Sequence, residues 1–332
     1  NTTSAGTFTF TMPAKDVSIS FDNAAITRKE LKAVTITDDA KVYLSTGDLT
    51  QAREGQIIPL TLNNESGKVR FVEIQKEDGS VEYLAASQAT SYTMPAGAIT
   101  LSVIAPDNWL EDGHYDKELY ASTASTLVVT DAEDLAAIGK RLQDNDATMD
   151  GKTVTIARDI DMSKYAWIPV TYSNYSSTVT FNGNGHKITG LNSISINDGK
   201  NQNYTGVFFG QEPSLATMTV NDLTFEGDCH VYAAGDTWLY VAGIFANGGH
   251  LNGVTNKVNV AINGSAKYAY VYGSGFSVFD FNNSGIDNTV TIGNFKADSL
   301  SGYGIGAGIM NGSVKNSYSN LNLVFSDKAS VG

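Results

Sequence analysis

Tyr204-Thr205-Gly206-Val207, Val241-Ala242-Gly243-Ile244, Gly273-Ser274-Gly275-Phe276 and Gly306-Ala307-Gly308-Ile309 repeat one pattern, with closing apolar residues 37, 32 and 33 positions apart. A near-constant period of this size marks stacked supersecondary units, each too small to bury its own apolar face. Asparagine and an apolar alternation follow: Asn221-Asp222-Leu223-Thr224-Phe225, Asn256-Lys257-Val258-Asn259-Val260, Asn288-Thr289-Val290-Thr291-Ile292 and Asn316-Ser317-Tyr318. The back half of the chain therefore reads as a solenoid of β coils, and the four asparagines as a hydrogen-bonded scaffold ladder between coils.

Aligning the coils on their glycines places Trp238, Tyr270 and Tyr303 at one equivalent position and Tyr240, Tyr272 and Ile305 at another. Equivalent residues of neighbouring strands stack about 4.8 Å apart, so these become aromatic columns. An exposed column offers flat faces to sugar rings; a buried one is core packing. Glycines interrupt the alternation, and both readings stay open. Trp238, Tyr240, Tyr270, Tyr272 and Tyr303 are the candidate ligand-binding residues.

Before the solenoid, Thr130-Asp131-Ala132-Glu133 has the pattern of a capping box, and Leu135, Ile138 and Leu142 lay one apolar stripe along a helix near 131–143. Such a helix can cover the open edge of a first coil. Asp159-Ile160-Asp161, Trp167-Ile168-Pro169 and Phe181-Asn182-Gly183 then lead into the repeats.

A second, unrelated repeat lies at the front. Phe10-Thr11-Met12-Pro13-Ala14 recurs as Tyr92-Thr93-Met94-Pro95-Ala96, and Val17, Ile19 and Phe21 match Ile99, Leu101 and Val103. In each copy a strand reaches Met-Pro, turns and leaves as a strand with alternating faces. Strand-like runs are expected at Val34 to Thr37, Lys41 to Leu44, Gln56 to Leu62, Val69 to Gln75 and Val81 to Leu84. The expected organisation is the tail of a first all-β module (1–22), a second module (23–105), a linker anchored by Trp109 (106–126) and a parallel β-helix with its capping helix (127–332).

The aromatic-Thr-Met-Pro-Ala module resembles the divergent internalin B-type repeat of bacterial surface proteins. The stretch from Leu127, with Asp159-Ile160-Asp161, Trp167-Ile168-Pro169, Phe181-Asn182-Gly183 and Ile188-Thr189-Gly190-Leu191, resembles the domain named for its Gly-Leu-any-Gly (GLUG) motif. Together the resemblances imply an all-β chain in which a right-handed parallel, pectin-lyase-like β-helix follows small β modules, as in adhesin-like surface proteins of gut Bacteroidetes and Firmicutes. Phe208-Phe209-Gly210 and Phe276-Ser277 depart from the glycine motif.

Composition narrows the partners. With 22 basic against 35 acidic residues the net charge is −13, which disfavours phosphate backbones and anionic lipid. Glycine is abundant and proline scarce, at 32 and 6 residues, as suits short strands and turns. One cysteine, Cys229, excludes an internal disulfide framework. No apolar run reaches the roughly 18 residues of a membrane span. The chain begins at Asn1 with no basic or apolar leader, so an export signal is expected to lie upstream or to have been removed. A soluble part of a longer exported protein is the expectation, with an end coil continued by further sequence or covered by a partner.

No motif requires a cofactor, metal or nucleophile. Asp159 and Asp161 share a strand face, but paired carboxylates at a corner more simply accept backbone N–H bonds. His114, His186, His230 and His250 are isolated and lack zinc spacing. Asp144-Asn145-Asp146 with Asp150-Gly151 lacks the ligand spacing of an EF-hand and reads as a solvated loop. Cys229 reads as a small core filler. The expected function is adhesion or a non-catalytic stalk, with glycans or host surface proteins as partners. A carbohydrate-active β-helix enzyme, or an accessory region of one, is the alternative.

Overall fold

A computed structural model describes residues 2–3, 7–8, 29–65, 68–170, 178–197, 203–209, 217–233, 238–241, 249–264, 268–270, 285–287, 290–297, 302–304, 313–325 and 329–331. The fold is all-β in class: strands make up 48% of the chain, against two α-helices among the described residues. The first copy of the Met-Pro-Ala turn, residues 10–14, lies outside the described residues.

The front half is a five-stranded sheet in the order Gln51–Arg53, Leu31–Ile36, Ile99–Ile104, Phe71–Lys76 and Val81–Ala85. Ile99–Ile104 runs parallel to Leu31–Ile36 and antiparallel to Phe71–Lys76. Ile99, Leu101, Val72 and Ile74 alternate inward onto Val34, Ile58 and Met94, which are all buried. Met94 thus ties the Met-Pro turn into the core. Two expected strands differ. Lys41 to Leu44 begins as the 3-10 turn Ala40–Val42, and Gln56 to Leu62 divides into Ile57–Pro59, which pairs with Ser91–Thr93, and Thr61–Leu62, which pairs with Leu44–Ser45.

The helix forms at Ala132–Gln143, but its cap is one residue beyond the expected one. Asp131, not Thr130, accepts from the Asp134 backbone N–H (3.0 Å), and Asp134 reaches back to the Thr130 N–H (2.7 Å) and hydroxyl (2.8 Å). Asp134 therefore closes onto the residue before the cap instead of onto the cap itself, and Glu133 stays out of the arrangement. The helix packs on Thr126–Val129, the edge strand of a seven-stranded sheet, and Leu135, Ile138 and Leu142 join Leu127 and Val129 in one core.

Two indoles fasten the segments around it. Trp109 is buried, donates through Nε1 to the Met162 carbonyl (3.0 Å) and meets Tyr165 edge-on. Trp167 is also fully buried, donates to the Phe208 carbonyl (2.9 Å) and stacks on the Phe208 ring at 4.5 Å. A Cβ on Gly139 would lie 2.5 Å from the Trp167 ring, so the glycine in mid-helix is what lets the indole close against it. Helix propensity alone disfavours glycine there by about 1 kcal/mol relative to alanine.

From Thr126 onward the chain visits parallel sheets in turn. The seven-stranded sheet runs Thr126–Val129, Lys152–Ile156, Thr178–Asn182, Thr217–Asn221, His250–Asn252, Gly285–Asp287 and Ser313–Lys315. The six-stranded sheet runs Ile160–Asp161, Lys187–Asn197, Thr224–Ala233, Thr255–Gly264, Val290–Ala297 and Tyr318–Phe325. Asn203–Thr205, Trp238–Val241 and Tyr268–Tyr270 form a third, three-stranded sheet. In the first, Asn221 pairs with Asn252, Asn252 with Asp287 and Asp287 with Lys315, offsets of 31, 35 and 28. In the second, Phe225 to Asn256 to Thr291 to Ser319 gives the same three offsets. The two sheets therefore advance in step, and differences in repeat length fall outside them.

Phe71 and Tyr83 of the five-stranded sheet meet Tyr232 of the six-stranded one, with ring centroids 5.9 and 5.2 Å away. This contact joins the front and back halves.

Candidate functional site

Hydrogen-bonded register does not follow the glycine alignment. Tyr240 pairs with Tyr204 on one side and Tyr270 on the other, while Trp238 pairs with Tyr268. Tyr303 pairs with Ser330 in a separate two-stranded sheet, and Tyr272 and Ile305 lie outside the described residues. Trp238 and Tyr270 are thus two positions out of register with each other. The cause is visible in the chain: from the paired tyrosine to the glycine takes two residues at Tyr204, three at Tyr240 and five at Tyr270. Backbone pairing, not glycine spacing, sets equivalence. The structure brings together Tyr204, Tyr240 and Tyr270; the role of Tyr204 was legible only from the strand register.

The asparagine ladder also has other members than the motif suggests. Asn221 donates through Nδ2 to Asn182 Oδ1 (3.0 Å) and pairs in register with Asn252. Asn256 lies on the six-stranded sheet instead, buried, and its Oδ1 accepts from the Val258 N–H (3.2 Å). Asn316 occupies a left-handed corner (φ 49°), as does Asp222 (φ 48°) one residue after Asn221. Short polar side chains tolerate that conformation, which explains why Asn and Asp recur at the corners. Asn288 is outside the described residues.

These acidic residues are engaged by backbone N–H groups or by neighbouring side chains. Asp159 Oδ1 accepts from the Lys187 N–H (3.0 Å) and lies 3.2 Å from His186 Nδ1. Asp161 Oδ1 accepts from the Ser163 N–H (2.9 Å), and this bond, with the Ser163 side chain, holds the carboxyl below its ordinary range. Asp144 accepts from Lys140 and from the Tyr120 hydroxyl (2.9 Å). Asp146 receives Arg141, Thr148 Oγ1 and the Thr148 N–H, all within 2.9 Å. Among the described residues no three His, Cys, Asp or Glu side chains converge on a metal position.

The histidines remain separate. His114 stacks on Tyr165 (3.8 Å, 9°) and donates through Nδ1 to the Asn108 carbonyl (2.7 Å). His230 pairs in register with Ile194 and Ala261, and His250 with Thr219 and Gly285. The Cys229 thiol is buried, and burial pushes its pKa up to about 12, so it is no nucleophile at neutral pH. Neither helix is long and apolar enough to cross a membrane among the described residues.

One surface was not legible from local motifs. On the six-stranded sheet Glu226 accepts from Lys257 (3.0 Å) with Lys187 at 3.7 Å, and Asn259 donates to Asp228 (3.0 Å). Lys257 lowers the Glu226 carboxyl first, through its hydrogen bond. The signal was an opposite charge 31 residues on, the register offset of these strands. Comparison with protein-family models, with curated proteins and with solved structures finds no match to this chain.

Proposed function

We propose that residues 127–332 wind as a right-handed parallel β-helix, and that the chain is an exported, cell-surface scaffold for adhesion that binds glycan without turning it over. The observation that carries this reading is the parallel register of Tyr204, Tyr240 and Tyr270 on successive strands of the third sheet. Aromatic residues repeating at the strand spacing match the repeat of a sugar chain better than they match a single reacting bond. The in-step advance of the other two sheets supports the helical winding, and a parallel crossover connection in one sheet is right-handed in nearly all proteins. The helix Ala132–Gln143 serves as its cap. The carboxylates most open to a catalytic reading, Asp159 and Asp161, are already used as backbone acceptors.

The test is a glycan-array and mucin-binding screen of the chain beside Tyr240→Ala/Tyr270→Ala and Trp238→Ala/Tyr268→Ala. We expect binding to neutral oligosaccharides that falls at least about tenfold in the tyrosine pair, since each stacked ring is worth about 1 kcal/mol or more. Binding unchanged by both pairs removes these aromatic residues from the account. Turnover of any polysaccharide replaces the scaffold reading with the enzyme one.

A further inference from the structure

We propose that the cleft between the Lys68–Arg70 segment, the Asn108–Asp112 turn and the C-terminal end of the helix Ala132–Gln143 is a binding site for a sugar acid, a polyhydroxylated ring carrying one carboxylate. The cleft has a volume of about 560 Å³, which suits a monosaccharide or a short oligosaccharide end. It is assembled from four stretches of chain distant in sequence, the fourth being Ile168-Pro169.

Among the described residues, the charges at the cleft leave one cation, Arg70, for a single carboxylate. Lys68, Arg70 and Lys140 line it together with Glu111 and Asp112. Lys68 is already bonded to Asp107 and Lys140 to Asp144. The half-buried Arg70 guanidinium has no side-chain hydrogen bond or ion pair among the described residues, and Glu111 acts on it only through its charge, without direct contact. Burial disfavours its charged form, so a carboxylate that supplied two acceptors would satisfy a group left short. The planar guanidinium fork matches a carboxylate with two parallel bonds.

The remaining lining explains why the ligand carries hydroxyls as well. Glu111 uses Oε1 for the Asn108 amide (2.8 Å), and Asp112 uses Oδ1 for the Tyr115 hydroxyl (2.9 Å). Each carboxylate keeps a second oxygen, which is an acceptor for a sugar hydroxyl and is repulsive to a multiply charged anion such as phosphate. Leu110 and Ile168-Pro169 add an apolar wall for the carbon face of a ring. The site shares no residue with the aromatic register positions, so the failure of either leaves the other standing.

The test is titration calorimetry of the full chain with galacturonic acid, N-acetylneuraminic acid, galactose and galacturonic acid methyl ester. Dissociation constants of about 1–10 mM are expected for the acids, the ordinary range for one charge-assisted contact on a monosaccharide. The ester and galactose are expected to bind at least about tenfold more weakly, and the ratio between the two acids tells a uronic from a sialic source. Arg70→Gln should lose the preference for acid over ester, with Arg70→Lys intermediate. Because Arg70 is half-buried, the exposed Gln143→Glu supplies a second arm: it adds a negative charge to the lining and should weaken the acids several-fold while the protein still unfolds cooperatively. Absence of heat from either acid up to about 50 mM overturns the proposal. So does equal affinity for acid and ester, or an acid affinity unaltered in Gln143→Glu and Arg70→Gln.

Discussion

Arg141→Ala is expected to cost about 2–3 kcal/mol of folding stability, from the lost charge-assisted hydrogen bonds and packing of a buried guanidinium. The side chain is 2% exposed in the last turn of the helix and donates in four directions. Nε reaches Asp146 Oδ2 (2.9 Å), Nη1 the Ser122 carbonyl (2.9 Å) and more distantly that of Leu119 (3.4 Å), and Nη2 Thr148 Oγ1 (2.8 Å). Removing it takes the Arg141 bond from Asp146 Oδ2, leaving that carboxylate its Thr148 contacts on Oδ1, and takes the side-chain donor from the Ser122 carbonyl. The segment at residues 119–122 then loses one of its ties to residues 146–148, the Tyr120 hydroxyl on Asp144 being another link nearby.

The same cluster sets an acid response. Burial raises the Asp146 pKa, but hydrogen bonds from Thr148 and then Arg141 outweigh it, and the folded value lies below the ordinary one. A group depressed in the folded state adds stability above its unfolded pKa, about 3.9 for Asp, and loses it as pH falls through the folded value. Urea unfolding should therefore show the wild type weakening from about pH 4 downward, and Arg141→Ala should show a shallower loss from a lower starting stability. A variant within about 1 kcal/mol of wild type at pH 7 contradicts the assigned network.

Gly227→Ala is the second large effect, expected to exceed about 4 kcal/mol or to abolish soluble folded protein. Gly227 has φ +148°, and an added Cβ would lie 2.1 Å from the Leu191 carbonyl oxygen and 2.6 Å from its nitrogen. Those are backbone atoms of the neighbouring strand, at the point where the register between Lys187–Asn197 and Thr224–Ala233 slips between Ile188 and Leu191. The bulge is a built feature of the sheet, and the strand cannot withdraw without breaking its ladder on both sides. Gly185→Ala provides the contrast: φ is +76° and nothing lies within 4 Å, so about 1–2 kcal/mol is expected from left-handed strain alone. Equal losses in the two variants, measured by chemical unfolding, would show that the close approach at Leu191 does not exist.

These two sites show where a sequence is silent. The helix was legible because Leu135, Ile138 and Leu142 fall on one face, yet Arg141 reads there as an ordinary basic residue near a helix end; only its burial reveals a hub. The β character of both halves was legible from apolar alternation, as at Val154 and Ile156 or Val179 and Phe181. Register was not, because hydrogen bonding counts residues along strands, while the number of residues from the paired tyrosine to the glycine varies from two to five. That one difference moved Trp238 away from Tyr270, put Tyr204 beside Tyr240, and placed Asn221 and Asn256 on different sheets. Nor could Lys68, Arg70 and Lys140 be grouped in advance, since a fold brings them together from segments with no common motif.

The winding of the back half is tested most directly by pulsed electron spin resonance between nitroxides on Lys187→Cys and Tyr318→Cys. Both native side chains are exposed, while Cys229 is buried and remains unlabelled. Lys187 pairs with Thr224, Thr224 with Thr255, Thr255 with Val290 and Val290 with Tyr318. Four strand steps of about 4.8 Å put the two backbones about 19 Å apart, although 131 residues separate them in the chain. A single narrow distribution centred between about 15 and 30 Å, allowing for the label arms, is the predicted result. A broad distribution, or one centred beyond about 35 Å, would contradict parallel stacking of these strands and with it the scaffold on which the tyrosine register rests.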